Sequence, residues 1–158
     1  MKHSILKSKL NLDAEIYQEL IDFYGGVFSL TPLSAKIYAY LAFDFEKNGL
    51  AFDELVETFC ASKSSISASI NFLLNANLIK TVNKIDERKR YFVFNDDFVK
   101  FRFEEIVNRM KREIKILDQL NNYRESQLES SQLSERYSIY RNLLEKNIEN
   151  IENTLNKL

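Results

Sequence analysis

Apolar positions recur at helical spacing over most of the chain. Between Asn11 and Phe28, residues Ile16, Leu20, Phe23 and Val27 stand 4, 3 and 4 apart, which predicts a first helix with those four on its buried face. Gly25-Gly26 would loosen its last turn. Thr31-Pro32 opens a second helix, with Thr31 as the cap and Pro32 at the first helical position, where no N–H is needed. Ile37, Tyr40, Leu41 and Phe45 run down its inner side, and Asn48-Gly49 is placed to stop it. Leu50-Ala51-Phe52 has length only for a minor strand. Asp53 then caps a short helix holding Leu55, Val56 and Phe59. A break at Cys60–Ser62 leads into a helix over Lys63–Ala76, with Ile66, Ile70, Leu73 and Leu74 turned inward.

The character of the chain then changes. Ile79–Val82 and Arg90–Phe94 favour strand, and Asn83–Lys89 between them is almost wholly polar, so a hairpin is expected. After Asn95-Asp96-Asp97 a long helix carries Val99, Phe103, Ile106, Met110, Ile114, Leu117 and Leu120 on one side, with a break expected in Asn121–Ser131 and continuous helix as the alternative. The last helix is the most periodic segment. Leu133, Tyr137, Tyr140, Leu144, Ile148, Ile151, Leu155 and Leu158 are spaced almost as a heptad seam. Such a stripe must be covered by the preceding helix or by a second copy of the chain; dimerisation through Leu133–Leu155 is the expectation. The predicted fold is mainly α with a small β-hairpin wing. It is a winged helix-turn-helix at 31–96, flanked by an N-terminal helix at 1–30 that supports dimerisation and long C-terminal dimerisation helices at 97–158.

Composition agrees with long helices. Three Gly and one Pro in 158 residues leave few breakers for tight turns. A net charge of −1 excludes a surface coated in positive charge, yet the charge is uneven. Ser62–Phe94 holds six cations (Lys63, Lys80, Lys84, Arg88, Lys89, Arg90) against two acids (Asp86, Glu87), or +4, which leaves −5 for the rest. A local cationic patch in an acidic chain is an electrostatic footprint for nucleic acid. No apolar run approaches the roughly 18 residues of a membrane span. The first ten residues have no apolar core of a secretory signal, and a single cysteine fits a reducing compartment. A cytoplasmic protein with no membrane partner is expected.

A helix that enters the major groove needs a slim polar exterior. Ser62, Lys63, Ser64, Ser65, Ser67, Ala68 and Asn71 supply one once Ile66 and Ile70 face the core. Serine hydroxyls bond to phosphates or base edges, asparagine can pair bidentately with adenine, and Lys63 can reach a phosphate. The wing loop supplies the second contact, with Lys84, Arg88, Lys89 and Arg90 available to a narrow groove. Asp86 and Glu87 would temper that field or orient Arg88 by pairing with it.

Three runs carry a family resemblance: Ser62–Ile70, the helix-to-wing passage Leu73–Ile79, and the wing Glu87-Arg88-Lys89-Arg90-Tyr91-Phe92-Val93. On these, from about Gly26 to Ile116, the chain resembles the MarR superfamily of winged-helix regulators, and within it the GbsR-type branch. Asn77 stands where the family commonly has Gly, a change that suits the left-handed conformation Asn also accepts. The resemblance implies a homodimer formed by N- and C-terminal helices on a pseudo-palindromic operator in double-stranded DNA. GbsR-type relatives include regulators that respond to choline. Tyr17, Phe23, Tyr24, Phe28, Tyr38, Tyr40 and Phe43 could in principle face such a small-molecule effector, although aromatics at helical spacing are ordinarily core.

Catalysis has little to work with. The only His is at position 3, and the only Cys, Cys60, falls where a small buried residue packs. No glycine loop could cradle a phosphate, and no metal site or cofactor is implied. The expected function is that of a sequence-specific transcriptional regulator, a repressor. The rival is a winged-helix protein-interaction module without direct DNA binding, which would have exchanged its wing cations for apolar or acidic groups.

Overall fold

In the computed structural model, residues 9–85, 87–127 and 132–158 are described, and of 132–134 only the backbone. Helix α1 (Ala14–Val27) starts at Asp13, whose carboxylate accepts from the N–H groups of Glu15 and Ile16, both at 3.0 Å. The two glycines do not loosen it. Gly25 brings the helix close to α2, where an added Cβ would stand 3.6 Å from Ala35 Cβ. The end is a Schellman turn: Ser29 takes a positive φ of 51°, and the Leu30 N–H reaches back to Gly25 O at 2.9 Å.

The predicted inner face of α1 is corrected. Ile16, Phe23 and Val27 are exposed, and the packed side is Tyr17, Tyr24 and Phe28. Both sets have helical spacing, so periodicity alone cannot choose between them; the three rings reach farther into the core than the aliphatic side chains would.

Helix α2 (Pro32–Ala42) has the predicted start, with Thr31 Oγ1 accepting from Ser34 N at 3.3 Å. Its end comes earlier than Asn48-Gly49. Past Phe43, the Asp44 carboxylate takes the N–H groups of Asn48 (3.1 Å) and Gly49 (2.6 Å), folding the chain into a loop. Phe45, expected on the helix's inner side, is therefore 80% exposed. Gly49 has a different task from stopping a helix. Its φ is +73°, and a Cβ there would meet Tyr91 Cβ at 2.9 Å and Val93 Cγ1 at 3.1 Å.

The minor strand is β1 (Leu50–Ala51), and α3 (Phe52–Phe59) follows at once. Asp53 does not cap it. It lies within the first turn, and the Ala51 N–H is instead held by Glu54 Oε2 at 2.9 Å. Helix α4 (Lys63–Asn75) is capped by Ser62, whose Oγ accepts from Ser65 N at 3.2 Å. It ends in a second Schellman turn with Asn77 at φ 57° and Leu78 N bonded to Leu73 O at 3.0 Å, as its left-handed tolerance predicted.

Strands β2 (Ile79–Asn83) and β3 (Arg90–Phe94) form the hairpin, and β1 adds to β3's other edge, giving the antiparallel order β1-β3-β2. Ile79 lies opposite Phe94 and Asn83 opposite Arg90, while Leu50 lies opposite Phe92. Buried Asn95 ties off the sheet, donating from Nδ2 to Asn77 O at 2.7 Å. Under this frame Ile37, Leu41, Leu55, Ile66, Ile70, Leu73 and Ile79 form one core. Each such side chain contributes roughly 1.5–3 kcal/mol. The arrangement is mostly helical with a small three-stranded sheet, a winged helix-turn-helix.

The chain divides into two compact units, the first ending at Phe98 and the second Val99–Leu158. The second is a helical hairpin of α5 (Phe98–Gln127) and α6 (Gln132–Leu155). Helix α5 continues through Asn121 and ends at Gln127, within the Asn121–Ser131 stretch where a break is expected. Asn121 is buried, donates to Glu125 Oε1 at 2.9 Å and accepts from Arg124. The rest of the expected break, 128–131, lies outside the described residues. Across the hairpin, Arg141 grips Asp118 with Nε at 2.9 Å and Nη2 at 3.2 Å, Tyr137 donates to the same carboxylate, and Tyr140 donates to Glu113 at 2.6 Å. No described helix is long and apolar enough to cross a membrane.

Candidate nucleic-acid interface

Helix α4 separates cleanly into two faces. Ile66, Ser69, Ile70 and Leu73 are buried, against α2, α3 and the start of β2. Ser64, Ser65, Ser67, Ala68 and Asn71 are all exposed, as are Ser62 and Lys63 at the start. The buried row recurs at i, i+4 and i+7, which forces the serines, alanine and asparagine outward. Ser62 is engaged locally, because its Oγ lies 3.0 Å from Ser64 Oγ and 2.8 Å from Ser65 Oγ besides capping the helix. The three hydroxyls form a polar cluster at the positive end of the helix dipole, beside the Lys63 ammonium.

Cys60 is the hinge into this helix. It adopts a left-handed conformation (φ 48°) that closes α3, and it is exposed, which corrects the expectation of a packed thiol. Thr58, two residues earlier, is buried in its stead.

The wing carries its cations differently from one another. Arg88, Lys89 and Arg90 are exposed, and no ion pair joins them to a described acid. Lys84 instead folds back, with Nζ 3.9 Å from the centroid of the Tyr91 ring. Glu87 accepts from the Tyr91 hydroxyl, so among the described contacts it steadies the base of the loop and not Arg88. That bond, with partial burial added, holds the Tyr91 phenol above its ordinary pKa. Asp86 lies outside the described residues.

Two exposed apolar side chains share this surface and escaped a sequence reading that looked only for polar contacts. Phe72 is 45% exposed on α4, one residue past Asn71, and Ile85 is 91% exposed in the wing loop. Both break the local pattern: Phe72 is out of phase with the Ile66–Ile70–Leu73 row, and Ile85 is a lone aliphatic in a charged run.

The expected dimerisation seam lies within the hairpin. Leu144 and Ile148 are buried in the single chain, Tyr137, Ile151 and Leu155 are half-buried, and Tyr140 is exposed. The side chain of Leu133 lies outside the described residues. Other apolar side chains of the hairpin remain exposed: Ile116, Leu120 and Tyr123 on α5, and Ile139 and Leu143 on α6.

The aromatics considered for an effector are packed on one another. Tyr24 stacks on Phe28 with centroids 5.4 Å apart, Tyr38 meets Tyr24 edge-on at 5.2 Å and stacks on Phe94 at 5.0 Å. Tyr38 and Tyr40 are fully buried. Burial also pushes the Tyr17 phenol up to about 12, with its hydroxyl donating to Lys36 O at 3.1 Å. Apart from exposed Phe23, these rings are buried or half-buried packing. Among the described residues no three His, Cys, Asp or Glu side chains gather as a metal site.

No protein-family model matches the sequence, and no curated protein matches it. Among solved structures, the chain is similar to a transcriptional regulator with a TM-score of 0.58 at 19% identity, covering 90% of this chain and 95% of that one. It is also similar to MepR, a transcription regulator of the Staphylococcus aureus multidrug efflux pump MepA (TM-score 0.42, 17% identity, 84% of this chain and 87% of that one). A MarR protein from Peptoclostridium difficile aligns with a TM-score of 0.40 at 21% identity over 99% and 98% of the two chains. The first of these establishes a shared fold; the other two superpose too loosely to add to it.

Proposed function

We propose that the chain is a cytoplasmic DNA-binding transcriptional regulator of the MarR type, a repressor that binds a pseudo-palindromic operator as a homodimer. The observation that carries this reading is the outer face of α4. A helix buried by Ile66, Ile70 and Leu73 presents small polar groups, the amides of Asn71 and Asn75 and one large ring, Phe72, around Ala68, in the same unit as three wing cations with no described acidic partner. Small side chains let the helix approach base edges, and exposed guanidinium and ammonium groups are available to phosphates. The resemblance of the Glu87–Val93 run supports placement in the GbsR-type branch.

Self-association through the terminal helices accounts for apolar residues the single chain leaves in water. Tyr140 of the seam, Leu120 and Leu143 beside it, and Ile16, Phe23 and Val27 on α1 are the residues proposed to meet a second copy. Nothing in this reading calls for catalysis, a metal or a cofactor.

Selection of bound duplexes from a random pool tests the reading. The expected result is an enriched inverted repeat whose affinity falls steeply with salt, because phosphate contacts release counterions. Recovery of no sequence, with no retention of duplex at low salt, would overturn it in favour of a protein-interaction module.

A further inference from the structure

The outer face of α4 has a narrower chemistry than "polar". Around Ala68 stand Ser64, Asn71, Phe72 and Asn75, all exposed, spanning about 16 Å of helix or four to five base-pair steps. Phe72 is the only large apolar side chain of α4 that is exposed. The helix contains no Arg, Gln, Asp or Glu, and its one cation, Lys63, sits at the N-terminus. The side chains that most often read guanine are therefore absent from the body of the helix, and the carboxylates that accept from the cytosine amine are absent altogether.

What remains fits one kind of base pair. In the major groove an A·T pair shows adenine N6 and N7, which an asparagine amide engages bidentately, next to the thymine C5-methyl, which takes apolar contact. Asn71 and Phe72 are successive residues that flank Ala68 on either side of the face. We infer that α4 reads A·T pairs, with Phe72 as the specificity-determining contact to a thymine methyl and Asn71 the partner of an adenine. This rests on the DNA-binding reading above and adds the base class it recognises. It also gives the exposed phenyl ring a place to be covered, since the ring loses water only when a methyl group lies against it.

Replacing thymine by deoxyuridine deletes the C5-methyl and nothing else. The full-length chain is titrated with the selected operator, unmodified and with each thymine replaced in turn. The wild type is expected to lose about fourfold in affinity per half-site at one thymine position, the equivalent of one apolar methyl group. Phe72→Ala should bind the unmodified operator more weakly and be indifferent to deoxyuridine there, while Phe72→Leu keeps the discrimination. Phe72 lies outside the core, so these variants fold. Wild-type affinity untouched by deoxyuridine at every position, or a Phe72→Ala variant that still discriminates, overturns the inference and leaves DNA binding standing. Failure of the wild type to bind any duplex overturns both.

Discussion

The two units distribute positive charge differently. In Val99–Leu158, eleven cations are interleaved with ten acids; Lys111 pairs with Glu152 and Arg141 with Asp118 across the hairpin, and Arg141 also with Glu145 one turn along α6. In the winged unit several cations are also held, Lys47 by Asp96, Lys80 by Asp97 and Lys84 on the Tyr91 ring. Lys63, Arg88, Lys89 and Arg90 are exposed and joined to no described acid, as are Lys36, Lys100, Arg109 and Lys146; what sets the four apart is that they lie in the Ser62–Phe94 stretch, which carries +4. In a protein with a net charge of −1, that local excess of cations is the stretch that favours a polyanion. The difference shows why total charge is a poor guide to this chain. The local balance of sign, together with pairing, decides which cations count.

The largest effect should come from removing two of the available cations. Arg88→Ala with Arg90→Ala is expected to weaken binding to every duplex about a hundredfold at low salt and to lower the log–log salt slope by about 2. Lys111→Ala, which removes a cation already paired across the hairpin, should change neither. Titrations at several salt concentrations read both quantities. Equal losses from the two substitutions would mean that pairing does not distinguish the cations.

Much of the reading unit was legible in the sequence because its signals are local. Ser62 as cap, the Ile66–Ile70–Leu73 row and Asn77 in the left-handed position each follow from one residue type at one spacing. The rest was set by contacts far apart in the chain. Helix α1 offers two apolar faces, and it was the approach of Gly25 to Ala35 on α2, with the Tyr17–Tyr24–Phe28 face turned inward, that fixed which was buried. The early end of α2 carries no glycine or proline, since the Asp44 carboxylate does the work of a stop signal. The C-terminal seam was visible as a stripe, but a stripe does not say what covers it; the Arg141–Asp118 and Tyr140–Glu113 bonds show α5 of the same chain alongside. Lys84 was read as a free cation because nothing in the sequence announces that Tyr91, seven residues on, lies beneath it.

Gly49 sharpens the comparison from behind the wing. Gly49→Ala places a Cβ 2.9 Å from that of Tyr91 on a backbone with φ +73°, where both partners belong to the sheet and cannot swing aside. A loss of about 2 kcal/mol in unfolding free energy is expected from the left-handed strain and the contact together. Gly26→Ala meets nothing within 4 Å on a helical backbone and should stabilise by about 0.5–1 kcal/mol. Denaturant midpoints of the two variants should therefore move in opposite directions, and a shared direction would mean that the tight approach of Gly49 to β3 does not bear on stability.

The smallest effect belongs to the paired charges of the hairpin. The Arg141 guanidinium, assisted by the Tyr137 hydroxyl, holds the Asp118 carboxyl below its usual range. A carboxylate with a folded-state pKa below its unfolded one stabilises the fold above the unfolded value, about 3.9 for Asp, and loses that contribution as pH falls through the lowered folded value. Asp118→Asn should accordingly melt slightly below the wild type at neutral pH, and the gap should close as the pH is brought below about 4. Both partners are more than a third open to solvent, so the gap is small and salt should narrow it further. A gap that persists unchanged in acid would assign the contribution of Asp118 to its shape and hydrogen bonds, with its charge irrelevant, and would remove charge pairing as the feature that sets the hairpin apart from the wing.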